Sequence, residues 1–293
     1  MNRVVTIILA CLLTLPAFAD EQVNRTIDAA SDGHVDVSNI SGSVTVNGWS
    51  RNSVEVTGTL GRNVEELVVE RDGDRVWIKV KVPKRGGRGI ESELRISVPK
   101  SSSLDVGTVS ADIDVSDITG EQSLHTVSGD VTTEYTGADM EAESVSGDVE
   151  VSGNNASGEV VATTVSGDVT LFRVSGDVEA ESVSGSVIVD EGEFKRAELS
   201  SVNGEIIFHG KLEKNGRLSI DTVNGDVDVE FVGDVSARFE IDTFNGGIRN
   251  CFGPKAERTS KYAPGWELEF TEGGGGAEVT ISTMNGGVSI CKK

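Results

Sequence analysis

The sequence predicts an all-β protein: a parallel β-solenoid, or β-helix, with coils of about 18–21 residues and a less regular, strand-rich N-terminal region. Three observations predict it. One five-residue unit recurs along the chain, its copies fall at nearly constant steps, and each copy lies within a run of alternating apolar and polar residues.

Residues 20–108 form the strand-rich N-terminal part. Alternation marks strands at His34-Val-Asp-Val37, Ser43-Val-Thr-Val46, Ser53-Val-Glu-Val-Thr57, Arg75-Val-Trp-Ile-Lys-Val-Lys-Val82 and Glu93-Leu-Arg-Ile-Ser-Val98. Ile40-Ser-Gly-Ser-Val44 is an isolated early copy of the unit, and Lys84-Arg-Gly-Gly-Arg-Gly89 reads as a basic exposed loop. This part is expected to begin the same sheet system and to cap one open end of the stack. No linker separates it from the remainder, which favours one elongated domain.

Residues 109–293 carry the regular repeats. Copies run Val127-Ser-Gly-Asp-Val131, Val145-Ser-Gly-Asp-Val149, Val165-Ser-Gly-Asp-Val169, Val183-Ser-Gly-Ser-Val187 and Val202-Asn-Gly-Glu-Ile206, then Val223-Asn-Gly-Asp-Val227, Phe244-Asn-Gly-Gly-Ile248 and Met284-Asn-Gly-Gly-Val288. Their first residues are separated by 18, 20, 18, 19, 21, 21 and 40 positions. A step near 20 is too long for a nonapeptide roll and too short for helical repeats. Asn-Gly alone would suggest a hairpin, but a hairpin gives no reason for the dipeptide to return at each step. As a stacked corner it does. The four-residue gap then predicts two interior columns, one headed by Val127 and one by Val131, of the β-branched type that suits a stacked pleated surface.

Two departures qualify the pattern. Val174-Ser-Gly-Asp-Val178 lies nine residues after Val165 and nine before Val183, which places it at the opposite corner of one 18-residue coil. Val109-Ser-Ala-Asp-Ile113 has Ala111 where the other copies have Gly. Either that corner needs positive φ and Ala111 costs about 1 kcal/mol, or the glycines serve close packing.

Of the 293 residues, 26 are Lys or Arg and 48 are Asp or Glu, a net charge of −22. Nucleic acid and anionic membrane surfaces are disfavoured as partners, because both require clustered cations. Residues 1–19 read as a signal peptide: Arg3, an apolar run from Val4 to Leu15, Pro16, and the small residues of Ala17-Phe-Ala19 before the cut. The run is too short and too broken for a membrane anchor, and Cys11 is discarded with it. No later apolar span follows, so the mature chain is expected to lack a transmembrane segment and to work in the periplasm, on the cell surface or outside the cell.

Ile40-Ser-Gly-Ser-Val-Thr-Val-Asn-Gly-Trp49, Leu94-Arg-Ile-Ser-Val-Pro99 followed by Leu104-Asp-Val106, the Ser-Gly-Asp repeats and the later Asn-Gly series together resemble the putative-adhesin domain of unknown function, a family of bacterial envelope proteins with β-strand repeats. The resemblance covers most of the mature chain. It implies a parallel β-solenoid, an envelope or extracellular location and a non-enzymatic role in adhesion or envelope maintenance. It supplies no catalytic residues.

Cys251 and Cys291 each lie seven residues after the start of a repeat unit, Phe244 and Met284. In adjacent coils their Cα atoms would sit about 4.8 Å apart, within reach of a disulfide that an exported protein permits. An extra coil between them would open the gap to about 9.6 Å and leave two free thiols. The first arrangement is favoured, with Pro254 to Glu272 looped out and an insertion spanning about 254–276. Asp130, Asp148 and Asp168 share one corner position. Carboxylates stacked about 4.8 Å apart repel by roughly 1 kcal/mol per pair, which either calcium or solvated splaying would relieve. Splaying is favoured, since the calcium-roll signature is missing. Asn203, Asn224, Asn245 and Asn285 are expected to form an amide ladder.

His34, His125 and His209 are scattered, without metal-ligand spacing, and neither a nucleophile elbow nor a phosphate loop occurs. A polysaccharide-active enzyme on the same scaffold, with paired acids and Arg173, is the competing class. Tyr262 and Trp266, in the insertion, are the candidate binding aromatics, with packing over the end of the solenoid as the plainer role. The reading overall is an exported, non-enzymatic envelope protein, an adhesin or structural binding module, whose partner is a polysaccharide, protein or other envelope component and which needs no cofactor.

Overall fold

The computed structural model describes residues 21–84, 87–262 and 264–293. Residues 1–19, expected to be a signal peptide and including Cys11, and Arg85 and Gly86 of the basic loop, lie outside the described residues. The described chain forms 23 strands, largely parallel and all joined in one hydrogen-bonded sheet.

Two parallel ladders run through the repeats. The first stacks Gln122–Ser128, Met140–Ser146, Ser157–Ser166 and Ser175–Ser184, with Ser128, Ser146, Ser166 and Ser184 in register. The second, beyond the corner, stacks Val131–Tyr135, Val149–Gly153 and Val169–Phe172, with Val131, Val149, Val169 and Val187 in register. Both ladders continue through the long strands Val187–Asn203 and Ile206–Asn224, each of which leaves one corner and reaches the next. From the unit at Val127 to the unit at Val223, equivalent residues of successive units are therefore vertical neighbours.

Only one of the two expected columns is interior. Val131, Val149, Val169, Val187, Ile206, Val227 and Val288 are fully buried, and Ile248 is half-buried. The column of Val127, Val145, Val165, Val183, Val202, Val223, Phe244 and Met284 is instead outside, between 39% and 56% exposed. The cause is parity. Counted from buried Ala142, alternation sends Glu143 out, Ser144 in and Val145 out; the turn then resets the phase, so the next inward residue is Val149. The inward place next to the corner belongs to a hydroxyl residue in every unit: Thr126, Ser144, Thr164, Ser182, Ser201, Thr222, Thr243 and Thr283.

The glycines answer to space. A methyl on Gly147 would lie 2.0 Å from the carbonyl oxygen of Gly129 in the level beneath, and one on Gly204 would lie 1.8 Å from that of Gly185. Ala111 is not among the positive-φ residues, and it lies in register with Gly42 of the level beneath. Val174-Ser-Gly-Asp-Val178 begins a strand in register with Ser157–Ser166, at the far corner from Val165 and Val183.

The last levels are stacked out of sequence order. Strand Ala277–Asn285 pairs with Ile206–Asn224 on one side and with Ala237–Asn245 on the other. The chain thus skips a level after Val223, builds the terminal level around Phe244, and returns to fill the gap with Met284. Trp266–Glu272 runs antiparallel along the outer edge of Ala237–Asn245, and Phe239, Phe252 and Phe270 pack over the core there, with ring centroids 4.4–5.8 Å apart. At the opposite end Glu21–Asp28, Ser53–Leu60 and Ser92–Pro99 pair antiparallel, as do Glu66–Asp72 and Arg75–Lys81.

The parity of the columns is open to direct measurement. Val149→Ala is expected to lose roughly 2 kcal/mol of unfolding free energy, and Val145→Ala less than about 0.5 kcal/mol. Urea denaturation of the two variants checks this, and equal losses would contradict the outward placement of Val145.

Candidate functional site

At each corner, one residue of a level completes the hydrogen bonding of its neighbour. Asp112, Asp130 and Asp148 each use Oδ1 to accept the backbone N–H of the next aspartate in the column, and Asp168 accepts that of Ser186, at 2.7–3.1 Å. Asp226 does the same for Gly287. Asp130, Asp148 and Asp168 are exposed, and each spends one oxygen on this capping bond. The inward hydroxyls serve the other side: Ser144 donates to the carbonyl of Gly129, Thr164 to Gly147, Ser182 to Gly167 and Ser201 to Gly185, at 2.9–3.0 Å. The asparagines form an amide ladder in spatial order, Asn203, Asn224, Asn285 and Asn245, at 2.8–2.9 Å per step.

The outward valines create a long apolar surface feature. Val109, Val127, Val145, Val165, Val183, Val202, Val223, Met284 and Phe244 form a continuous apolar line, one residue per level. Two open grooves follow it. One, of about 530 Å³, lies beside Val145, Val165 and Val183 and is walled by His125, Glu143 and Glu181. The other, of about 600 Å³, follows Val223, Met284 and Phe244 and is walled by Asp221 and Asp242. Ser200 and Val202 belong to both, so the grooves join. Carboxylates border the apolar line on both sides, from these walls and from the corner aspartates.

His125 stands at one end of this groove. Its Nε2 is 2.7 Å from Ser123 Oγ and its Nδ1 3.0 Å from Glu143 Oε2. The connectivity matches a Ser-His-acid triad, but Ser123, His125 and Glu143 lie on strands whose amides are committed to the parallel ladder, where acyl transfer would need free, converging donors. Arg173, the other catalytic candidate, stacks on Phe172 at 4.6 Å, at the far end of its strand from Asp168. A separate cavity of about 690 Å³ holds more acid: Asp190, Glu193, Glu213 and Glu230 surround His209 and Lys211.

Cys251 and Cys291 are bonded, with Cα atoms 4.9 Å apart in adjacent levels. The insertion is not wholly looped out, because Trp266–Glu272 pairs along the last level. Trp266 begins that strand opposite Thr243, half-buried, with the Arg258 guanidinium 4.9 Å from its ring centroid. Tyr262 is 91% exposed. The two aromatics do not meet in one platform, though Thr259 and Gly265 beside them close the end of the second groove.

The family profile described as Toastrack DUF4097 matches residues 17–182 and 174–291. No curated protein matches the chain. Among solved structures it is similar to a putative adhesin from Bacteroides fragilis, at 11% identity over 94% of this chain and 98% of that one, TM-score 0.45. A putative adhesin from Parabacteroides distasonis is similar at 12% identity over 92% and 97% of the two chains, TM-score 0.41. A putative lipid binding protein from the same organism is similar at 14% identity over 93% and 96%, TM-score 0.34.

Two outcomes test this geometry. Asp148→Ala is expected to cost about 1 kcal/mol, the value of one capping bond, while Asp148→Asn keeps an acceptor and most of that stability; equal losses in calcium-free denaturation would show that the charge itself is needed. Replacing Cys251 and Cys291 by Ser releases a 40-residue separation and is expected to cost roughly 4 kcal/mol by chain entropy, read as a lower urea midpoint.

Proposed function

Because the chain belongs to the Toastrack DUF4097 family, we propose that it is an exported, non-enzymatic envelope protein, an adhesin or structural module built on a β-solenoid, whose contact surface is the long outer apolar line and its groove. The observation that carries the reading is the line itself. A contiguous exposed apolar stripe rimmed by polar groups is the usual mark of an interaction surface, and here every level from Val109 to Phe244 contributes to it. The solenoid reading rests on the two in-register parallel ladders with a shared corner. Export is supported by the Cys251–Cys291 bond, since disulfides persist in oxidising compartments, and by the leader-like segment 1–19. Net charge of −22 and the carboxylate borders favour a partner that is neutral or basic beside its apolar part.

A polysaccharide-active enzyme is the second reading, and the acid-lined cavity around His209 is the observation that favours it. Neither groove along the apolar line contains an arginine. Release of new sugar ends from envelope polysaccharide, lost in Glu230→Gln, would support this reading over the first.

The double substitution Val165→Asp with Val183→Asp is expected to leave unfolding free energy within about 1 kcal/mol of the parent, because both side chains already face water. It is expected to abolish co-sedimentation with isolated envelope material. Undiminished co-sedimentation of the folded variant would remove the outer line as the contact surface.

A further inference from the structure

We propose that His34, Asp36 and Asp105 form a zinc site near the N-terminal end of the stack. His34 and Asp36 lie two residues apart on strand His34–Trp49 and so share a face. Parallel pairing sets Asp105 directly across from Asp36 on strand Ser103–Ser116, although the two are 69 positions apart. One ligand atom from each of the three lies within 4.8 Å of the others, and His34 Nε2 is 3.5 Å from Asp36 Oδ1. Zinc bonds of about 2.1 Å in tetrahedral geometry require a ligand-to-ligand edge of about 3.4 Å. The imidazole–carboxylate pair therefore already has the spacing, and Asp105 needs only a modest side-chain adjustment.

Two of the three ligands are unspent. His34 Nε2 is out of contact with solvent and has no hydrogen-bond partner, even though the rest of the ring is partly open. Such an orphan is costly unless something completes it. The Asp105 carboxylate, whose field reaches Arg75, makes no hydrogen bond or ion pair among the described residues, while its backbone is engaged in the ladder. Asp36, only 18% exposed in its side chain, is held by a fork from Arg75, which sits across from His34 on Arg75–Lys81. The Arg75 guanidinium, stacked against Trp77 at 5.5 Å, is itself held more firmly charged by its hydrogen bond to Asp36 and by the fields of Asp36 and Asp105. This is how metal-ligating carboxylates are commonly steadied, by a fixed outer partner. The cluster carries two carboxylates against one guanidinium, so negative charge remains for a dication. Imidazole with carboxylate suits zinc better than calcium or magnesium, which take oxygen alone. Three protein ligands leave the fourth position for water or for a donor from a partner, and an open cavity of about 360 Å³ reaches Asp36 between Trp77, Lys79 and Glu70.

The test is zinc chloride titrated calorimetrically into the untagged, oxidised protein, with circular dichroism confirming the fold of each variant. One equivalent is expected to bind with a dissociation constant of roughly 10 micromolar or tighter and to raise the melting temperature. His34→Gln and Asp105→Asn are each expected to weaken binding by at least about tenfold, whereas His125→Gln and His209→Gln, at the two other histidines beside carboxylates, should bind like the parent. Absence of saturable binding in the parent overturns the site. So does full binding in both His34→Gln and Asp105→Asn, or its loss in His125→Gln or His209→Gln, which would place the ion elsewhere.

Discussion

Everything in this molecule depends on parallel strands stacking in register, one strand spacing per level. Once Ser146 lies over Ser128 and Val149 over Val131, each side chain meets its own equivalents above and below. A residue type is then selected for how it stacks on itself. Glycine at the corner follows because the carbonyl beneath occupies the space of a Cβ. Aspartate follows because its carboxylate reaches the next corner amide, which turns a repelling column into a series of caps. Asparagine follows because its amide both donates and accepts along the axis. Buried hydroxyls such as those of Ser144, Thr164, Ser182 and Ser201 satisfy corner carbonyls that the bend removes from the ladders.

What could be read from the sequence was whatever register alone decides. The repeat step, the buried column headed by Val131, the Cys251–Cys291 pair and the asparagine ladder all require only that like residues meet, and the family resemblance rests on the same motifs. The Val127 column was misplaced because a four-residue gap preserves facing only in a straight strand. Ser-Gly-Asp bends the strand, and the count that decides the matter starts upstream, at Ala142 and Ser144. The apolar groove was hidden by the same error. The order of the last three levels was illegible, since the 40-residue step says nothing about which edge the returning strand uses. His34, Asp36 and Asp105 meet through cross-strand pairing, which no local spacing betrays.

The surface balances two opposing needs. A row of exposed valines along a parallel sheet invites association, and an uncovered sheet end invites strand addition. The ends are closed by antiparallel strands, Trp266–Glu272 at one and the pairs around Glu21–Asp28 and Glu66–Asp72 at the other. The apolar row is left open but bordered by carboxylates, so that any companion must match both its shape and its charge. No helix of the described residues is long and apolar enough to cross a membrane.

The out-of-order return of the C-terminal strands makes the final segment a keystone. Ala277–Asn285 and Val288–Lys292 slide between neighbours that were synthesised earlier, and each must bond along both edges at once. Until they arrive, the level bearing Phe244 has no parallel support beneath it. The architecture therefore cannot be finished progressively from one end; closure waits for Ala277–Asn285 and Val288–Lys292, and the disulfide then locks the wedge to the roof it holds up. Without these two strands the level below and the level above would face each other across an empty slot flanked by two bare strand edges, the kind of edge that invites strand addition.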